Sequence, residues 1–135
     1  MALVFHPLQG SLVTVKFEPG FVEPEMVKRR PCIVLSFPMK HRPKLLTVVA
    51  LSTTPPNPVM PFHIEIDVPF ALPGRWSKKC WVKGDMINAV GFHRTDLIQL
   101  GKDRSGKRTY QTTALPLETF RLVQRAVLAG LGLGP

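Results

Sequence analysis

The chain has 135 residues, 44% of them hydrophobic and 20% charged, which suits one domain with a workable core and is too apolar for disorder. No apolar run reaches the roughly 18 residues of a membrane span, and residues 1–10 carry no basic region followed by a long apolar stretch, so a cytoplasmic protein with no membrane association is expected. Eighteen Lys and Arg against nine Asp and Glu leave a net charge of +9, which favours a polyanionic partner through counterion release and electrostatic steering.

Residues 11–18 alternate, with Val13, Val15 and Phe17 set against Thr14 and Lys16, the period of a half-buried strand. Pro19 and Gly20 end it. Residues 20–30 have no period, two carboxylates and the run Lys28-Arg29-Arg30, and read as a mobile surface loop. Residues 31–37 form a short apolar run that suits an interior strand, and residues 38–44 are basic and turn-like. Residues 45–52 predict a third strand, closed by the proline-rich stretch from Thr53 to Pro58, which forbids regular pairing.

Residues 62–68 place Phe62, Ile64, Ile66 and Val68 on one face and His63, Glu65 and Asp67 on the other. Residues 79–83 and 86–92 read as two strands broken at Gly84-Asp85, with a short strand at 95–100 and a basic, glycine-punctuated loop at 101–108. A helix is predicted from Pro116 to about Gly130, with Glu118 in its first turn and Leu117, Phe120, Val123 and Val127 along one face. These elements describe a mainly β protein: a small twisted antiparallel sheet or partly closed, SH3-like barrel packed against a C-terminal helix.

Cys32 and Cys80 lie in strand-like apolar contexts without metal-ligand spacing, so both are expected as buried thiols in a reducing compartment. His41, His63 and His93 share no ligand spacing either. Neither metal nor cofactor is expected. Trp76 and Trp81 flank Lys78-Lys79, a pattern compatible with an aromatic and basic RNA platform or with packing at an edge or dimer contact.

Three segments, in order, resemble the MazF/PemK (Kid) family of toxins from bacterial toxin–antitoxin pairs. The first runs from Gly10 through Pro19, with Glu25 five residues ahead of Arg30-Pro31-Cys32. The second is Val48 to Thr54, followed by Pro61-Phe62. The third is Trp81-Val82-Lys83-Gly84-Asp85-Met86. The resemblance implies an SH3-like barrel that forms a homodimer, cleaves single-stranded RNA without metal, and is neutralised by a cognate antitoxin protein.

Metal-free cleavage uses the substrate 2′-hydroxyl as nucleophile. The protein must then supply a base, an acid for the leaving 5′-oxygen and donors to the phosphate. The resemblance makes Arg30 the transition-state stabiliser and the candidate acid, with Thr53 a phosphate donor; without it, Arg30 reads as a solvated charge and Thr53 as a turn initiator before Pro55. Glu25 and Asp85 are both candidates for the base, and the sequence leaves the choice open. Lys28, Arg29, Thr54 and Lys83 are candidate RNA-binding groups, and Phe62 is either a base-stacking or a core residue. Met86, Asn88 and Pro24 depart from the family pattern. Two alternatives therefore stand beside the nuclease: a gyrase-binding toxin of the CcdB type, for which the tail lacks an aromatic residue, and a noncatalytic nucleic-acid-binding barrel.

Overall fold

The computed structural model describes residues 3–69 and 79–134. Eight strands precede one helix: β1 (Leu12–Val15), β2 (Arg30–Val34), β3 (Leu45–Ser52), β4 (His63–Asp67), β5 (Lys79–Gly91), β6 (Thr95–Leu97), β7 (Gln99–Lys102), β8 (Arg108–Tyr110) and α1 (Leu117–Gly130). The first six form one sheet in the order β4-β5-β3-β2-β1-β6, and β7 and β8 pair separately. Every pairing is antiparallel. The edge strands β4 and β6 do not meet, so the sheet curls without closing into a barrel.

The sheet is buried on both faces. Leu12, Ile33, Val49, Leu51, Ile66 and Val82 face α1, which contributes Phe120, Val123 and Ala126. Val13, Val15, Cys32, Val34, Leu46, Val48 and Ala50 point the other way, into a second core with Leu3, Phe17 and Met26. Alternation explains this division, because successive side chains of a strand leave opposite faces. β1 is thus apolar on both sides, with Leu12 as well as Val13 and Val15 inaccessible to solvent, where its sequence predicts a half-buried strand. Both cysteines are buried and free.

Four sequence expectations need correction. The two strands expected around Gly84-Asp85 are one continuous strand, β5. Its pairing with β3 jumps from Ala50 opposite Lys83 to Val49 opposite Ile87, so Gly84, Asp85 and Met86 form a bulge that bends the strand without ending it. The strand expected at 95–100 splits between two sheets, and the stretch expected as a basic loop at 101–108 is the end of β7, the hairpin turn and the start of β8. Leu117 is 63% exposed, since the helix makes its apolar contact one turn later through Phe120. The loop expected to be mobile at 20–30 is anchored: Met26 is buried and Phe21 packs against the same core. Trp76 and Lys78, half of the expected aromatic and basic platform, lie outside the described residues.

The bulge is locked to the helix by two glycines. A Cβ on Gly84 would overlap the Ala126 carbonyl oxygen and lie 2.7 Å from that of Phe62, and one on Gly130 would lie 2.8 Å from the Asp85 nitrogen. Gly84 N–H donates to the Phe62 carbonyl at 2.9 Å. Backbone meets backbone here, so a methyl group cannot be absorbed by a rotamer change. Gly84→Ala should cost about 3 kcal/mol or more, read as a lowered urea midpoint, whereas Gly106→Ala, whose Cβ meets nothing within 4 Å, should cost only the strain of its positive φ.

Candidate active site

The candidate groups gather where the sheet's second face runs out of apolar side chains. Arg30 opens β2 opposite Val15. It shares a strand face with Cys32, two residues on, and the guanidinium is near enough to pull on the Cys32 thiol electrostatically. Cys32 pairs with Ala50 and Ala50 with Lys83, which in turn pairs with His63. Ser52 pairs with Trp81, and Trp81 with Glu65. By alternation Arg30, Ser52, Trp81, Lys83, His63 and Glu65 therefore share the face that carries the second core, just past its apolar end.

Arg30 is half-buried, and its Nε is fully buried with no hydrogen-bond partner among the described residues. A buried donor left unsatisfied costs about 1–3 kcal/mol, so a shift of this half-buried side chain that brings Nε to an acceptor is favoured. Thr53 and Thr54 follow β3 directly and are exposed. Ser52 fixes their turn: its Oγ accepts the Thr54 N–H at 3.1 Å and donates back to the Thr54 carbonyl at 3.4 Å. Phe62 belongs to neither apolar core; it is half-buried, with its ring centroid 4.6 Å from that of His63.

The remaining candidates are dispersed. The Glu25 carboxylate accepts the Val22 N–H at 3.0 Å, capping its own turn, whose Glu25 N–H donates to the Val22 carbonyl at 2.9 Å. Arg29 turns away to Asp96 on β6 at 3.1 Å, and Lys28 is exposed. Asp85 is exposed in the β5 bulge two residues beyond Lys83. Met86 packs against the second core, so that departure from the family pattern alters packing at the bulge. Among the described residues no group of three or more His, Cys, Asp and Glu could hold a metal ion, and no helix is long and apolar enough to cross a membrane.

Sequence reading did not bring Ser52, Trp81 and His63 to this strand end, Trp81 being read with Lys78-Lys79 and His63 only as a metal-ligand candidate, and it missed Arg94. The first three become neighbours only through strand register. Arg94 organises the 16–29 loop, donating from Nη1 to the carbonyls of Phe17 at 2.8 Å and Lys16 at 3.3 Å, with its guanidinium 5.1 Å from the Phe21 ring centroid. Its partners are more than 70 residues away in the chain, and no local motif announces them.

An antiparallel sheet whose polar strand ends converge below a loop, with one terminal helix on the opposite face, is a fold shared with solved toxins. An endoribonuclease in complex with its cognate antitoxin, from a Mycobacterial species, superposes with a TM-score of 0.61 at 18% identity, covering 96% of this chain and 99% of that one. MazF from Deinococcus radiodurans superposes with a TM-score of 0.59 at 22% identity, covering 94% and 97%. The MazE-MazF structure from the same organism gives 0.53 at 21% identity, covering 95% and 97%. A comparison with curated proteins returns no match. The family model of PemK-like, MazF-like toxins of type II toxin–antitoxin systems matches residues 8–129, and the chain belongs to that family.

Burial pushes the Cys32 thiol far above its ordinary value, against a smaller downward pull from Arg30, and pushes the Cys80 thiol up to about 11. Neither is a thiolate nucleophile at neutral pH. A raised native pKa means that the folded state keeps protons the unfolded chain sheds above about 9, so stability is full below that pH and falls as pH rises towards about 11. The urea midpoint should drop over this window, less steeply in Cys80→Ala, and at pH 8 both thiols should react with a thiol reagent only after denaturation.

Proposed function

We propose that this toxin is an endoribonuclease that cleaves single-stranded RNA without metal, by attack of the substrate 2′-hydroxyl on the adjacent phosphorus. The P–O2′ bond forms as the P–O5′ bond breaks, and the leaving 5′-oxygen takes a proton from Arg30 or from water, giving a 2′,3′-cyclic phosphate and a 5′-hydroxyl end. The observation that carries the reading is the Nε of Arg30, buried and without a hydrogen-bond partner among the described residues, at a strand end bordered by exposed hydroxyls. A phosphate oxygen is the acceptor that a guanidinium suits best, because two parallel N–H donors fit it. Negative charge grows on the non-bridging oxygens as the 2′-oxygen attacks, and a fixed cation is worth most there. Thr53 Oγ donates to the same phosphate, and Lys83, Lys28 and Thr54 hold the flanking backbone.

The base removes the 2′-hydroxyl proton and is Glu25 or Asp85. Using Glu25 requires its carboxylate to leave the Val22 N–H or to act through its other oxygen; Asp85 needs no such release but rides on the bulge beside Lys83. Phe62, paired with His63, offers a ring for an unstacked base. Two solved relatives of the same fold are toxins bound to their antitoxins, which supports a cognate antitoxin as this chain's protein partner.

The test is cleavage of a long mixed-sequence RNA in excess EDTA, followed by mapping of the ends. The wild-type protein should give discrete cuts with cyclic-phosphate and 5′-hydroxyl termini. Arg30→Ala should lower the single-turnover rate by about 10²–10³, with Arg30→Lys recovering only part, and Thr53→Ala should lower it less. Of Glu25→Gln and Asp85→Asn, the one that removes the base should cost about 10²–10⁴ and abolish the acidic limb of the pH–rate profile. Undiminished cleavage by Arg30→Ala, or cleavage only when a divalent metal is restored, would overturn the proposal.

A further inference from the structure

We infer that the β7–β8 hairpin is a second, non-catalytic binding site for the RNA phosphate backbone, engaging nucleotides that flank the cut. The inference rests on the nuclease reading for its substrate but on separate residues for its evidence. The hairpin leaves the main sheet after Ile98 and returns at Gln111, whose N–H donates to the Ile98 carbonyl at 2.8 Å. A bridge between Ser11 and Ala114 then ties the returning chain to the start of β1. That is the opposite end of β1 from Val15, which faces Arg30. The hairpin therefore starts about 10 Å or more from Arg30, at roughly 3.3 Å per strand residue, too far to act on the reacting phosphate.

Its tip concentrates charge that forms no ion pair among the described residues: Lys102, Arg104, Lys107 and Arg108 are all exposed. Lys102 and Arg108 stand directly opposite each other in the ladder, where like charges repel and weaken a hairpin. The only acid in the tip, Asp103, is turned inward: its Oδ1 accepts from Ser105 N–H at 2.9 Å, Ser105 Oγ at 2.7 Å and Lys107 N–H at 3.0 Å. These bonds hold its pKa below the usual Asp value, the Ser105 hydroxyl contributing most. One carboxylate thus shapes the turn while four cations point outward, a surface arranged before any ligand arrives.

The chemistry favours a phosphate backbone over a protein. Protein interfaces draw their affinity from buried aromatic and aliphatic anchors and are depleted in Lys at their centres, yet residues 102–108 contain no apolar side chain. Backbone phosphates ask only for cations and tolerate any sequence. The hairpin would raise affinity for long RNA and leave the choice of cleavage site to the strand-end groups.

The experiment compares a variant with Lys102, Arg104, Lys107 and Arg108 all changed to Gln with a control of equal charge, Lys40, Arg42, Arg121 and Arg125 all changed to Gln. RNA affinity is measured against salt with a 30-nucleotide strand, and KM and kcat with that strand and with a minimal cleavable fragment. The hairpin variant should lose about 0.7 of salt slope per broken phosphate contact, so up to about 2.8, and should raise KM for the long strand with kcat and short-fragment cleavage unchanged. The control should keep most of the wild-type slope. Equal slopes for hairpin variant and control would overturn the inference, as would lost binding to an acidic polyglutamate peptide with RNA affinity retained. If the wild-type protein binds RNA without cutting it, the nuclease reading fails while the salt slopes still decide the hairpin's role; if it does not bind RNA, both fall.

Discussion

The structure depends on β3 being buried on both faces. Leu46, Val48 and Ala50 fill one core while Val49 and Leu51 fill the other, so along this strand there is no solvated side on which to mount polar chemistry. Polar groups can appear only where the apolar run stops. That is the end marked by Ser52 and Thr53, and it is where β2 begins with Arg30. Burial thus does more than stabilise the sheet: it confines the candidate site to one end of it.

The same constraint explains the glycines of the bulge. A helix packed across a doubly buried sheet leaves little depth, and at Gly84 and Gly130 the two backbones approach without side chains between them. The bulge absorbs Gly84, Asp85 and Met86 on β5 with no extra residue on β3. It presents Asp85 to solvent while sending Met86 into the second core. A carboxylate is thereby held on a bulge fixed between β3 and α1, which positions it better than a free loop would.

Charge is distributed by a different rule. The cations of the strand end are drawn into the fold to different degrees: Arg30 is half-buried, Arg29 is paired with Asp96, and Arg94 braces the loop above them. Those of the hairpin are fully solvated and mutually repelling. The first arrangement suits one phosphate held in a fixed geometry; the second suits many phosphates held loosely. Under the proposed function, one basic chain serves both tasks because only the first requires desolvation.

Much of this was legible before folding. Alternation marked β1 and β4, the apolar run marked β2, β3 was predicted up to the proline-rich stretch that closes it, and the terminal helix followed from Pro116, Glu118 and the spacing of Phe120 and Val123. The family was legible from Arg30, Thr53 and the Lys83–Asp85 segment in their order, because chemistry carried by residue types at fixed spacing survives in one dimension. The continuity of β5 was not, since Gly84-Asp85 signals a turn locally and only the β3 register and the helix make it a bulge. Nor was the neighbourhood of Arg30 with Ser52, Trp81 and Lys83, or the bracing by Arg94, for those contacts join residues far apart in the chain. Local sequence sets the period and the ends of each element; which ends meet, and which guanidinium nitrogen is buried without an acceptor among the described residues, is decided by the pairing register that tertiary burial imposes.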